Sequence, residues 1–170
     1  GLGDVYKRHP FHRDAALWRE QALGVMRREA DLQFHPDGHQ IELSANYHMV
    51  CVHQYQIMRR MLQSAGYGIP EWIDPLLRKT FEPMRAMARP DHYVFGFQDT
   101  TPVSLPRELE NVATALRGEH DDWFANRRGT PPAHQHDLLP YAGYVILRSG
   151  RGENDLAIAF DGGPYGANHQ

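Results

Sequence analysis

The chain has 170 residues, 41% hydrophobic and 23% charged, with a net charge of −3 when histidine is counted neutral, the composition of a soluble globular protein. That negative balance argues against a general nucleic-acid binder, whose phosphate contacts need clustered basic side chains. No apolar run approaches the roughly 18 residues that span a bilayer, and the opening "GLGDVYKRHPFHRD" lacks the charged-then-apolar order of a secretory signal.

In chain order, the apolar residues Leu17, Trp18, Leu23, Met26, Ala30 and Leu32 recur at helical spacing and predict an amphipathic helix from about Asp14 to Phe34. "HPDG" ends it, proline restricting the histidine before it and glycine permitting the turn. A second helix is expected from about Glu42 to Ala65, with Leu43, Tyr47, Val50, Ile57, Met58, Met61 and Leu62 contributing to one face. "GYGIP" closes it. A third opens after Pro70 and carries Trp72, Ile73, Leu76, Leu77, Phe81, Met84 and Met87, with Pro75 and Pro83 as places for a kink.

Arg89 to Pro106 is too rich in proline, glycine and turn residues for a helix and long for a connection, and such loops often carry function. A further helix is expected from about Pro106 to Asn126, with a break at Gly118. After the linker "RRGTPPAHQHD", the segments "GYVILRSG" and "DLAIAFDGG" are of strand length, joined by the polar turn "RGEND". Helices followed by strands suggest two units: residues 1–128 helical, 129–137 a linker, and 138–170 the start of a sheet domain. Two strands are too few for an independent sheet, so the chain reads as a piece of a larger protein.

The single cysteine, Cys51, excludes an internal disulfide and reads as a buried thiol. Lysine occurs only at Lys7 and Lys79, leaving arginine with nearly all the positive charge. Its fork suits two-point contact with carboxylate or sulfate, and the same bias follows from a GC-rich genome.

The densest polar stretch is "HPDGHQIELSANYHMVC", residues 35–51, where a turn runs into a helix that brings Glu42, Ser44, Tyr47 and His48 close together. Its pattern D-G-x3-E-x-S-x2-Y-H, after an amphipathic helix, resembles the late helical part of the heparinase II/III-like polysaccharide lyases. "YAGYVILRSG" followed by "FDGGPYGANHQ" is similar to the opening strands of that family's sandwich, including a Gly-x-x-Gly-x-x-His run. "FGFQD", Phe95 to Asp99, is similar to a loop motif between them. The likeness covers essentially the whole chain in order.

The resemblance implies an α+β multidomain fold: a partial α/α toroid of helical hairpins followed by the first strands of an antiparallel β-sandwich, with the sugar cleft at the junction. It implies β-elimination on an acidic, uronic-acid-containing polysaccharide of the heparin, heparan sulfate or alginate type. Tyr47 and His169 take the catalytic positions. Glu42, Asn46, His48 and Arg148 are the candidate substrate contacts. The family's upstream catalytic asparagine or histidine would precede Gly1, so a lone piece is expected to be inactive. No cofactor is expected within the chain, and the complete sandwich would admit a divalent metal, zinc or calcium. The resemblance also implies export to the periplasm or beyond, an acidic polysaccharide partner, no nucleic acid and no membrane insertion; it assigns no oligomeric state.

Such residues suit the chemistry. Elimination removes the proton next to the uronate carboxylate and expels the sugar oxygen on the neighbouring carbon, which needs a base, an acid and neutralisation of developing charge. Tyrosine and histidine can share the proton transfers.

Other readings stand beside these. Tyr47 alone would be a packed tyrosine with a surface hydroxyl. His48 could face a cleft or merely the helix surface, and Glu42 could complement the helix dipole. Arg148 is either a fork for an acidic sugar or a strand-end charge. "HQHD", His134 to Asp137, has weak metal-ligand spacing and reads as a solvated loop. A non-catalytic acidic-carbohydrate-binding or scaffold protein of the same fold is the alternative function.

Overall fold

The protein is described from a computed structural model, over residues 12–167. Helix α1 spans Ala15–Gln33 and ends where Phe34 turns extended and bridges to Gln40. Helix α2, Ala45–Ser64, begins three residues later than its periodicity suggests. Leu43 adopts a left-handed φ of 59°, which no helix tolerates, and Ser44 follows in an extended conformation. α2 buries Met49, Val52, Tyr55 and Leu62, and the Tyr55 hydroxyl donates to the Met26 carbonyl of α1 at 3.0 Å.

Helix α3, Ile73–Ala86, places Ile73, Leu77, Phe81 and Met84 on its buried side at steps of four and three. Pro75 lies in the first turn, where a missing N–H costs nothing. Pro83 is internal and deprives the Lys79 carbonyl of its helical donor. The Arg59 guanidinium of α2 grips Asp74 of α3 through two contacts, 2.7 and 3.2 Å.

The helix expected over 106–126 is instead three short pieces: α4 (Leu105–Glu110), a 3-10 turn (Thr114–Leu116) and α5 (Asp121–Asn126). A long-range ion pair accounts for the break at Gly118. Arg85 meets the buried Asp121 carboxylate in a two-point contact, 2.6 and 2.9 Å, and Asp121 also accepts the Gly118 N–H at 2.7 Å. A side chain at Gly118 would press on the Arg85 guanidinium, at 3.0 Å.

Three antiparallel strands follow in the order β1 (Asp137–Leu139), β2 (Tyr144–Arg148) and β3 (Ala157–Asp161). β1 lies where the linker was expected to end. Leu139, Ala142, Tyr144 and Ile146 join the helices' apolar residues in one core, while Leu138, Leu147, Ile158 and Phe160 on the other face are exposed. Among the described residues, no helix is long and apolar enough to cross a membrane.

Candidate active site

The polar turn before α2 is a joint between helices, loop and sheet. Asp37 accepts the His39 N–H at 3.2 Å with one oxygen and the Tyr141 and Ala142 N–H groups at 2.9 and 3.0 Å with the other. It thereby ties the turn to the loop between β1 and β2. Gly38, at φ 89°, lies against the Lys79 carbonyl that Pro83 leaves without a helical donor, and a Cβ there would come within 2.4 Å of that oxygen. Only glycine combines this φ with that approach.

Leu43 is fully buried in its left-handed conformation, a strain of order 1–3 kcal/mol for a bulky residue. Its carbonyl accepts the Tyr144 hydroxyl of β2 at 2.7 Å. Burial raises the Tyr144 pKa and keeps that hydroxyl a donor. Ser44 stands at the N-cap position but donates to the Asp99 carbonyl at 2.7 Å, and no side chain caps the helix. The "FGFQD" loop is therefore fastened to the start of α2. Its other side meets the sheet, through Phe97 tilted against Tyr144 with ring centroids 4.6 Å apart and through Gln98 bonded to Asp161 at 3.1 Å.

On this support the first turn of α2 presents Asn46 and Tyr47, both half-buried. The Asn46 N–H donates to Thr100 Oγ1 and its side-chain oxygen accepts from Thr101 Oγ1, each at 3.0 Å. Glu42 shares two bonds with Gln40: its N–H donates to Gln40 Oε1 at 2.8 Å, and Gln40 Nε2 donates to its carboxylate at 3.4 Å. The segment after β3 returns to the same place. The Ala167 N–H donates to the Ile41 carbonyl at 3.0 Å, and a Cβ on Gly166 would lie 2.2 Å from the Glu42 carbonyl oxygen. The second sequence motif is thus pinned beside the first, although His169 itself lies outside the described residues.

Two expected substrate contacts are placed differently. His48 is fully buried: Nδ1 accepts the Gln40 N–H at 3.1 Å, so Nε2 carries the proton and donates to the Thr80 carbonyl at 2.7 Å. Neither nitrogen is left for a sugar. Burial, then the neighbouring His39, holds its pKa well below the ordinary value. Arg148 is also buried. Its guanidinium bonds Asp137 at 2.6 Å, the Ala88 carbonyl at 3.1 Å and the Ala86 carbonyl, clamping β2 to the C-terminal end of α3, where a cation also suits the helix dipole. Both side chains hold the joint together rather than face a cleft.

In "HQHD", residues 134–136 form an exposed loop as expected, and Asp137 begins β1. His134 Nε2 lies 2.9 Å from Asp137 Oδ1, and Asp137 is occupied by Arg148 and Arg151 at 2.6 and 3.4 Å. Two arginines on the one carboxylate argue against a cation there. Among the described residues, no group of three or more His, Cys, Asp or Glu is arranged to hold a metal. Cys51 is half-buried, with Sγ 3.5 Å from Gln33 Oε1 and a pKa raised by burial, then by Glu42.

Comparison with known proteins bears on the family and the fold. The family model "Heparinase II/III N-terminus" matches residues 7–122. A heparin-sulfate lyase of Bacteroides stercoris is 36% identical over 166 residues, covering 91% of this chain and 24% of the relative. The chain therefore spans about a quarter of that relative's length. Among solved structures, a heparinase III superposes with a TM-score of 0.84 at 18% identity, covering 99% of this chain and 28% of that one. The heparan sulfate lyase HepC of Pedobacter heparinus gives 0.80 at 21% identity, covering 99% and 28%. These likenesses identify the fold as part of an α/α toroid running into the first strands of an antiparallel sandwich. With its family match covering the helical unit, the chain belongs to the heparinase II/III family of polysaccharide lyases.

Proposed function

We propose that the whole protein cleaves a uronic-acid-containing polysaccharide of the heparan sulfate type by β-elimination, and that this chain supplies the side of the cleft carrying Tyr47 and His169. The observation that carries the reading is the contact of Gly166 and Ala167 with Ile41 and Glu42, which brings together two motifs far apart in sequence. The name of the Bacteroides relative favours heparan sulfate over alginate.

In this reading Tyr47 and His169 divide two proton transfers. One takes the proton from the carbon beside the uronate carboxylate; the other gives a proton to the departing glycosidic oxygen as the bond to the neighbouring carbon breaks, leaving a carbon–carbon double bond. Negative charge builds on the carboxylate side as this happens. The N-terminus of α2, which has no acidic residue in its first turn, offers a positive dipole end to that charge. Asn46 and Glu42 then help position the sugar. Export to the periplasm or beyond follows from a polymeric substrate.

The test mixes the whole protein separately with heparan sulfate, chondroitin sulfate, hyaluronan and alginate, and follows ultraviolet absorbance from the new double bond. A rise with heparan sulfate is the expected result. A rise with alginate alone would move the substrate assignment. Saccharide binding without absorbance would leave a non-catalytic carbohydrate-binding protein of the same fold.

A further inference from the structure

The geometry points to a second contact site, for an anionic sugar residue further along the same polymer, in a groove between α2 and α4; this rests on the polysaccharide reading above. The groove has a volume of about 500 Å³. Asn46, Val50 and His53 line it from α2 at steps of four and three, which places them on one helix face. Arg107 and Glu108 line it from α4 and Asn111 from just past its end, with Tyr93 at its margin.

His53 Nε2 lies 2.7 Å from Glu108 Oε2, across 55 residues of sequence. The carboxylate fixes the ring's orientation. Arg107 is exposed on the same short helix, and its guanidinium has no ion-pair or hydrogen-bond partner among the described residues. It is therefore the unpartnered cation of the groove among the described residues, and its fork matches a carboxylate or sulfate. Tyr93 is 41% exposed and offers a ring face, while the Asn46 and Asn111 amides supply partners for hydroxyl groups. A concave surface with one free cation, two amides and an aromatic ring suits an acidic saccharide better than an apolar ligand.

The position fits a chain-like substrate. Asn46 adjoins Tyr47, and His53 is six residues further along α2, about 9 Å at the helical rise. A polymer held at Tyr47 would continue into this groove.

The test is calorimetric titration of the whole protein with a heparan sulfate octasaccharide, using wild type, Arg107→Ala, Arg107→Lys and His53→Ala, with thermal melts as a folding control. Arg107→Ala is expected to weaken binding about tenfold, Arg107→Lys to recover part of the loss, and His53→Ala to weaken it as well, with Arg107 variants melting like wild type. Wild-type affinity in both alanine variants would overturn this site while leaving the polysaccharide reading intact. Equal affinity for a neutral oligosaccharide would overturn the anionic assignment. No binding by wild type to heparan sulfate, chondroitin sulfate or alginate oligosaccharides would remove the polysaccharide reading and this site with it.

Discussion

The Tyr144 hydroxyl donates to the Leu43 carbonyl at 2.7 Å across 101 residues of sequence. One hydrogen bond thus joins the first long strand of the sheet to the strained residue that sets where α2 begins, four positions before Tyr47. Tyr144→Phe keeps the ring against Phe97 and removes only this bond. Leaving a buried carbonyl without its donor costs about 1–3 kcal/mol. Denaturant unfolding should show a midpoint lowered accordingly; an unchanged midpoint would mean the turn holds its conformation without the sheet.

Acid should loosen the same joint. Burial depresses the pKa of His39 from 6.5 to about 4, and His48 is likewise held neutral by burial. An unfolded chain binds these protons at ordinary pH values and the folded one does not, so their protonation favours unfolding as pH falls. The loss begins near pH 6.5 and continues towards 4, with roughly 3 kcal/mol from His39 alone. Urea midpoints measured across that window should fall steadily with acid. A flat profile would show that the two rings are solvated when folded.

Arg148 distinguishes a structural clamp from a sugar contact. Burial lowers its pKa and Asp137 opposes that shift; removing the guanidinium leaves the Gln135, Ala86 and Ala88 carbonyls and part of the half-buried Asp137 carboxylate without this donor. Arg148→Leu should destabilise the fold by about 3–5 kcal/mol, and Arg148→Lys should recover little because one ammonium cannot reach the fork's separate acceptors. A variant that melts like wild type but binds saccharide weakly would restore the substrate-contact role.

Much of the scaffold is legible in local pattern. The three long helices declare themselves through apolar periodicity, and "HPDG" and "GYGIP" mark their ends. The rest depends on partners distant in sequence. The 106–126 segment breaks because Arg85 draws Asp121 and the Gly118 N–H into one buried cluster, which no local window contains. β1 is only three residues long and follows a proline-rich stretch, so it has no strand signature. Leu43 reads as an ordinary helical leucine until Tyr144 is seen holding its carbonyl.

Among the candidate site residues, the motif locates the region but does not sort its members. Tyr47 and His48 are adjacent, and helical geometry sends neighbouring side chains about a quarter turn apart; one is half-buried and the other lies in the core. Which is which depends on Thr80 and the Gln40 N–H. Arg148 alternates inward with Tyr144 and Ile146 along β2, a period-two signal that favours the core face. The His53–Glu108 pair carries no motif at all, because its members come from different helices.

The most direct test compares wild type and Tyr47→Phe in the whole protein, measuring heparan sulfate elimination by ultraviolet absorbance and polymer binding in parallel. Loss of the phenolic proton should lower kcat by about 10²–10⁴-fold with binding nearly unchanged. Full lyase activity in Tyr47→Phe would contradict the assignment of Tyr47 to the chemistry.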